Sequence, residues 1–184
     1  MLLDAQRSVL IVIDLQKKLV PAIDKGDQVV AKAGILLEGA RRLGVPVIVS
    51  EQYPKGLGPT VDAIAANLPN EAITIAKLTF SAARSKNFSH DLSVLRTGGR
   101  DQMVVCGTET HVCVLQTAAD LLAEELPVFL VTDASGSRAE ENHCAAVERM
   151  AGFGAQCVTS EMVLFEWLEA AGNDDFKALS KLIK

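Results

Sequence analysis

The side chains of this sequence that could act together chemically are a carboxylate, an ammonium and a thiol: Asp14, Lys77 and Cys113. Cysteine attacks carbonyl carbon as its thiolate, a form favoured by a helix N-terminus and a nearby cation. An aspartate within reach accepts the thiol proton and returns it to a leaving group, or activates water. A lysine beside both holds them in their charged forms. Backbone N–H groups at Glu109 and Cys113 would then serve as an oxyanion hole for a tetrahedral intermediate. Singly, the three have ordinary readings: a helix cap for Asp14, a solvated loop charge for Lys77, an inert core thiol for Cys113. Their placement along the chain sets them apart.

Six apolar, β-branched runs recur, at residues 8–14, 46–50, 72–76, 102–106, 127–132 and 155–159. Each is nearly continuous rather than alternating, the pattern of strands covered on both faces. Helical patterns fill the intervals, at residues 29–43, 60–67, 88–95, 111–125, 140–153 and 162–170. Gly44-Val45-Pro46 and Gly154 stop helices where the next strand must start. Alternation of this kind predicts a Rossmann-like three-layer α/β/α sandwich around a six-stranded, mostly parallel sheet. The length of 184 residues suits one domain over residues 1–184. Ligands of such sheets bind beyond the carboxyl ends of the strands. Asp14 closes the first run, Lys77 follows the third, and Cys113 enters the helix after the fourth. All three therefore meet at one edge.

Composition narrows the partners. A formal net charge of -5 lacks the basic stripe that phosphate neutralisation requires, so neither nucleic acid nor an anionic membrane is expected as a partner. The N-terminus has no basic segment followed by an apolar stretch, and residues 9–13 are too few to span a bilayer. The expected location is cytoplasmic. The four cysteines, Cys106, Cys113, Cys144 and Cys157, contain no CxxC pair, and free thiols are expected in a reducing compartment.

At the chemical residues the sequence closely resembles the isochorismatase-like cysteine hydrolase superfamily. The matching pieces are Val12-Ile13-Asp14-Leu15-Gln16, Lys77-Leu78-Thr79-Phe80-Ser81, and Val105-Cys106-Gly107-Thr108-Glu109-Thr110-His111-Val112-Cys113-Val114. The segments Glu51-Gln52-Tyr53-Pro54-Lys55-Gly56-Leu57-Gly58-Pro59 and Ser160-Glu161-Met162-Val163-Leu164-Phe165 resemble the small isochorismatase-domain-containing subgroup. The resemblance implies an Asp14–Lys77–Cys113 triad, a cis peptide between Thr108 and Glu109, and a homo-oligomer. Nicotinamidases of the superfamily carry an Asp and two histidines for a metal after the second strand. Residues 50–76 here contain no histidine, so no metal and no cofactor are expected.

The function expected is thus hydrolysis of a small amide, carbamoyl or ester substrate through a thioester on Cys113. Leu19, Tyr53 and Phe80, each following a motif at the active edge, are candidates to line the pocket. His111, two residues from Cys113 on a helix, points elsewhere and is not expected to act as its base. Three other readings stand beside this one. They are an idle scaffold of the same fold, a vinyl-ether hydrolase of isochorismate type, and a redox sensor pairing Cys113 with Cys106.

Overall fold

The computed structural model describes residues 1–183. Six strands form one sheet, β1 (Ser8–Ile13), β2 (Val47–Gln52), β3 (Ile73–Lys77), β4 (Gln102–Thr108), β5 (Val128–Gly136) and β6 (Gln156–Val158). Their spatial order is β3-β2-β1-β4-β5-β6, and every pairing is parallel. The order reverses between β1 and β4, and at such a point the flanking loops diverge and leave a crevice.

Strand parity builds the two core layers. Leu10 and Val12 of β1 face a layer with Val104, Phe129, Leu36 and Trp167, while Val9, Ile11 and Ile13 face one with Val105, Leu130, Phe88 and Leu121. Helices α1 (Gly26–Leu43) and α7 (Ser160–Leu168) cover the first face; α4 (Lys86–Thr97), α5 (Leu115–Ala123) and α6 (Glu140–Gly152) cover the second. This double cover explains the continuous apolar runs, and each large aliphatic side chain so buried contributes about 1.5–3 kcal/mol. Trp167 belongs to the core and donates its indole N–H to Ser8 Oγ at 2.9 Å.

Two expectations need revision. β3 is the sheet edge, and its residues alternate between exposed and buried, so its outer face is uncovered. The helix expected over residues 60–67 shrinks to α3 (Asp62–Ala65), because Thr60 is drawn to Glu51 and pairs with Gln16 instead. Two short helices, α2 (Pro54–Leu57) and α8 (Asp174–Leu179), lie outside the sequence reading. Among the described residues no helix is long and apolar enough to cross a membrane.

Gly107 sets the approach of β4 to β1. It stands at φ +117°, opposite Ile13, and a side chain there would collide with the Ile13 carbonyl oxygen. The missing Cβ lets the chain turn into the residues that carry the thiol.

Candidate active site

Asp14 is the first residue beyond β1 and holds a left-handed backbone conformation, φ +49°, which Asp tolerates better than bulkier residues. Its carboxylate has two donors: Ser50 Oγ donates to Oδ1 at 2.7 Å and Lys77 Nζ donates to Oδ2 at 2.7 Å. The Asp14 and Lys77 side chains are both 0% exposed. Such a buried pair persists only when its remaining protons are also satisfied. Lys77 meets that demand by donating to Gln52 Oε1 at 2.7 Å and to the Phe80 carbonyl at 3.0 Å.

Gln52 is itself fixed. Its Nε2 donates to the Leu78 carbonyl at 2.8 Å, and its backbone N–H donates to Gln16 Oε1 at 2.8 Å. Gln16 Nε2 donates in return to the Gln52 and Gly58 carbonyls, at 3.0 and 2.6 Å. This pair of glutamines ties the ends of β1 and β2 to the loop after α2. Neither Ser50 nor Gln52 stood out in the sequence, since a serine and a glutamine near a strand end carry no signal without their partners.

The thiol arrives on an irregular turn. The Thr108–Glu109 peptide is cis, and Thr108 Oγ1 donates to the Asp14 carbonyl at 2.8 Å. Residues Thr110–Val114 form a widened π-turn ahead of α5, closed by Val114 N–H donating to the Glu109 carbonyl at 3.2 Å. Turns of this type recur at functional sites. Thr117 Oγ1 donates to the Cys113 carbonyl at 2.7 Å and accepts from Ala82 N–H at 2.9 Å, joining the turn to the loop after Lys77.

Cys113 is 5% exposed, and its thiol is pushed up to about 12. Burial is the main cause and the Asp14 carboxylate adds to it, with Lys77 pulling the other way. Burial and Asp14 thus outweigh the support that Lys77 was expected to give the thiolate. The nearest ammonium is already shared by Asp14 and Gln52. A thiol held this way needs a neighbouring base before it can react as thiolate.

A cavity of about 110 Å³ opens onto the sulfur, lined by Asp14, Leu19, Gln52, Leu57, Phe80, Glu109, Val112 and Cys113. Leu19 and Phe80 thus stand where the sequence pointed. Tyr53 does not line it: the residue sits at φ +40° with its ring packed on Gly56, and it is 51% exposed. Leu57 takes the wall instead, brought there by α2. Glu109 Oε2 accepts from Arg138 N–H and Nε, each at 3.0 Å, which fixes the loop over the cis peptide.

His111 Nδ1 lies 3.0 Å from Ser137 Oγ, engaged away from sulfur. Cys106 and Cys113 belong to core layers on opposite faces of the sheet, which removes the disulfide reading. Arg84 pairs with Asp120 at 2.7 Å and faces solvent. A larger hollow of about 240 Å³ between α1 and the end of β5 contains no nucleophilic thiol or lysine–aspartate pair of this buried kind.

Asp14 and Cys113 thus line one cavity at the reversal of strand order, with Lys77 paired to Asp14. The family model described as the isochorismatase domain matches residues 8–162. The chain belongs to the isochorismatase family. Its relatives within that family include isochorismatase domain-containing protein 2A of Mus musculus, 37% identical over 182 residues, spanning 97% of this chain and 84% of the relative. Among solved structures, the MAR1 ribonuclease of Caenorhabditis elegans superposes with a TM-score of 0.92 at 33% identity, covering 100% of this chain and 92% of that one. The YcaC gene product of Escherichia coli, described as an octameric hydrolase of unknown specificity, gives 0.90 at 28% identity over 100% and 89% of the two chains. Membership of the isochorismatase family supports a hydrolase.

The polar side chains at the end of β2 and Asp14 are committed to partners within the protein. Glu51 Oε1 accepts from Thr60 N–H and Oγ1 at 2.7 Å each, Gln52 is committed to Lys77, and Asp14 has both oxygens occupied. Among the described residues no group of three His, Cys, Asp or Glu side chains is placed to hold one.

Proposed function

We propose that this protein is a metal-independent cysteine hydrolase opening a small amide, carbamoyl or ester carbonyl through a Cys113 thioester. The observation that carries the reading is the Cys113 thiol in the same cavity wall as a buried, doubly hydrogen-bonded carboxylate. As sulfur bonds to the carbonyl carbon, Asp14 takes the thiol proton and the carbonyl π pair moves to oxygen. Backbone N–H groups of Glu109 and Cys113 stabilise that oxyanion. Collapse breaks the bond to the leaving amine or alcohol, which takes the proton from Asp14. Water then attacks the thioester, Asp14 receives the water proton, and the second collapse returns the proton to sulfur and releases a carboxylic acid. Lys77 remains charged throughout and holds Asp14 in position.

Several broader readings accompany this one. One domain spans residues 1–184, since all six strands enter a single sheet. A homo-oligomer is supported by the octameric E. coli relative and by Leu78 and Phe80, 76% and 54% exposed beside the site. A cytoplasmic location fits four free cysteines. The ribonuclease description of the C. elegans relative is not carried over, because a net charge of -5 and a small apolar cavity do not suit RNA.

The test is a quenched reaction with a panel of small amides and esters, followed by intact and peptide mass spectrometry. An acyl adduct on Cys113 is expected, and turnover should vanish in Cys113→Ser. Turnover that survives the loss of Cys113 overturns the mechanism. RNA cleavage by purified protein, abolished in the same variant, would favour the ribonuclease reading instead.

A further inference from the structure

Resting on the thioester reading, the geometry points to a substrate whose acyl part is small, neutral and apolar, and disfavours an acyl part that carries a charge. In a thioester mechanism the acyl part stays bound to Cys113 while the leaving group departs, so the acyl part must fit the cavity beside sulfur. That space is about 110 Å³, room for about four water molecules. An acetyl, propionyl, butyryl or carbamoyl group fits; a long acyl chain does not.

Charge sharpens the limit. The apolar walls are Leu19, Leu57, Phe80 and Val112. The polar walls are all engaged: Asp14 with Ser50 and Lys77, Gln52 with Lys77 and Leu78, Glu109 with Arg138. A substrate carboxylate entering here finds no lining cation, and the nearest ones, Lys77 and Arg138, are already paired with Asp14 and Glu109. A substrate ammonium finds both acidic side chains already neutralised by a basic partner. Either charge would be buried without compensation, which is strongly unfavourable. A neutral acyl chain suffers neither penalty and gains apolar contact.

The experiment measures kcat/KM for acetamide, propionamide, butyramide and hexanamide against succinamate and glycinamide, together with the methyl esters of the same six acids. Mass spectrometry reads the Cys113 adduct for each. The neutral two- to four-carbon members are expected to exceed the charged ones by about a hundredfold or more, with hexanoyl substrates falling sharply. Leu57→Ala should move the preferred chain length upward and leave the preference for neutrality intact. Succinamate, its ester or a hexanoyl substrate matching the short neutral ones overturns the size and charge limits while leaving the thioester chemistry standing. Absence of any adduct and any turnover across the panel overturns both.

Discussion

Cys113 should behave as a sluggish thiol towards simple alkylation although it is the proposed nucleophile of catalysis. The thiol is pushed from 9.0 to about 12, so below pH 9 its thiolate population is about a thousandfold below that of an ordinary cysteine. Iodoacetamide reacts with thiolate, and the rate at Cys113 is expected to rise about tenfold per pH unit from pH 7 through pH 10 without levelling. Peptide mass spectrometry resolves Cys113 from Cys144, which is exposed and acts as an internal reference. Asp14→Asn removes a charge that disfavours the thiolate, so alkylation should accelerate even as turnover is lost. Lys77→Met removes the opposing charge and should slow alkylation further. These opposite movements separate the two partners. A wild-type rate that levels below pH 8 would show a resting thiolate and refute the assignment of Asp14 as base to a neutral thiol.

Four further outcomes follow from the same geometry. Lys77→Met leaves Asp14 buried without its counter-ion and should destabilise the fold by about 3–5 kcal/mol by urea titration; the Asp14→Asn/Lys77→Met double variant should recover part of that loss. Ser50→Ala deletes the donor to Asp14 Oδ1 and should lower kcat by about tenfold with KM little changed, while Ser50→Thr restores it. Gly107→Ala forces a side chain against the Ile13 carbonyl at φ +117° and should abolish soluble folded protein, read by circular dichroism. Burial lowers His143 from 6.5. The unfolded chain therefore binds the proton first, so stability falls as pH drops below about 6.5 and stops falling once the folded form is also protonated. His143→Gln should flatten the thermal-denaturation profile in that window.

The fold was legible because each buried strand is a continuous apolar run and each helix has its own stop. Residues 102–106 and 127–132 could be read as strands without their neighbours, since both faces of each demand apolar side chains. Reading strand ends as the working edge then located Asp14, Lys77 and the Cys113 turn. The supporting residues were not legible, because their roles exist only in space. Ser50 lies thirty-six positions from Asp14 in the chain, and Thr117 reaches thirty-five positions back to Ala82. The surroundings of Cys113 were not legible for the same reason: the sequence shows a lysine and does not show that its protons are already committed to Asp14 and Gln52. Tyr53 was misplaced because the four-residue helix Pro54–Leu57 turns Leu57 inward in its stead.

The widened turn at Thr110–Val114 has a consequence for how this domain can change. An extra residue in the turn breaks the rigid link between the direction of Cys113 and the angular phase of α5, whose Leu115, Ala118 and Leu121 must face the sheet. In an uninterrupted α-helix each residue is fixed at about 100° from the last, so re-aiming the sulfur would rotate the packing face with it. Here the two are uncoupled. Substitutions in the turn can re-aim the Cys113 sulfur without rotating the packing face of α5, with Thr117 as the α5 side chain that still ties the two together.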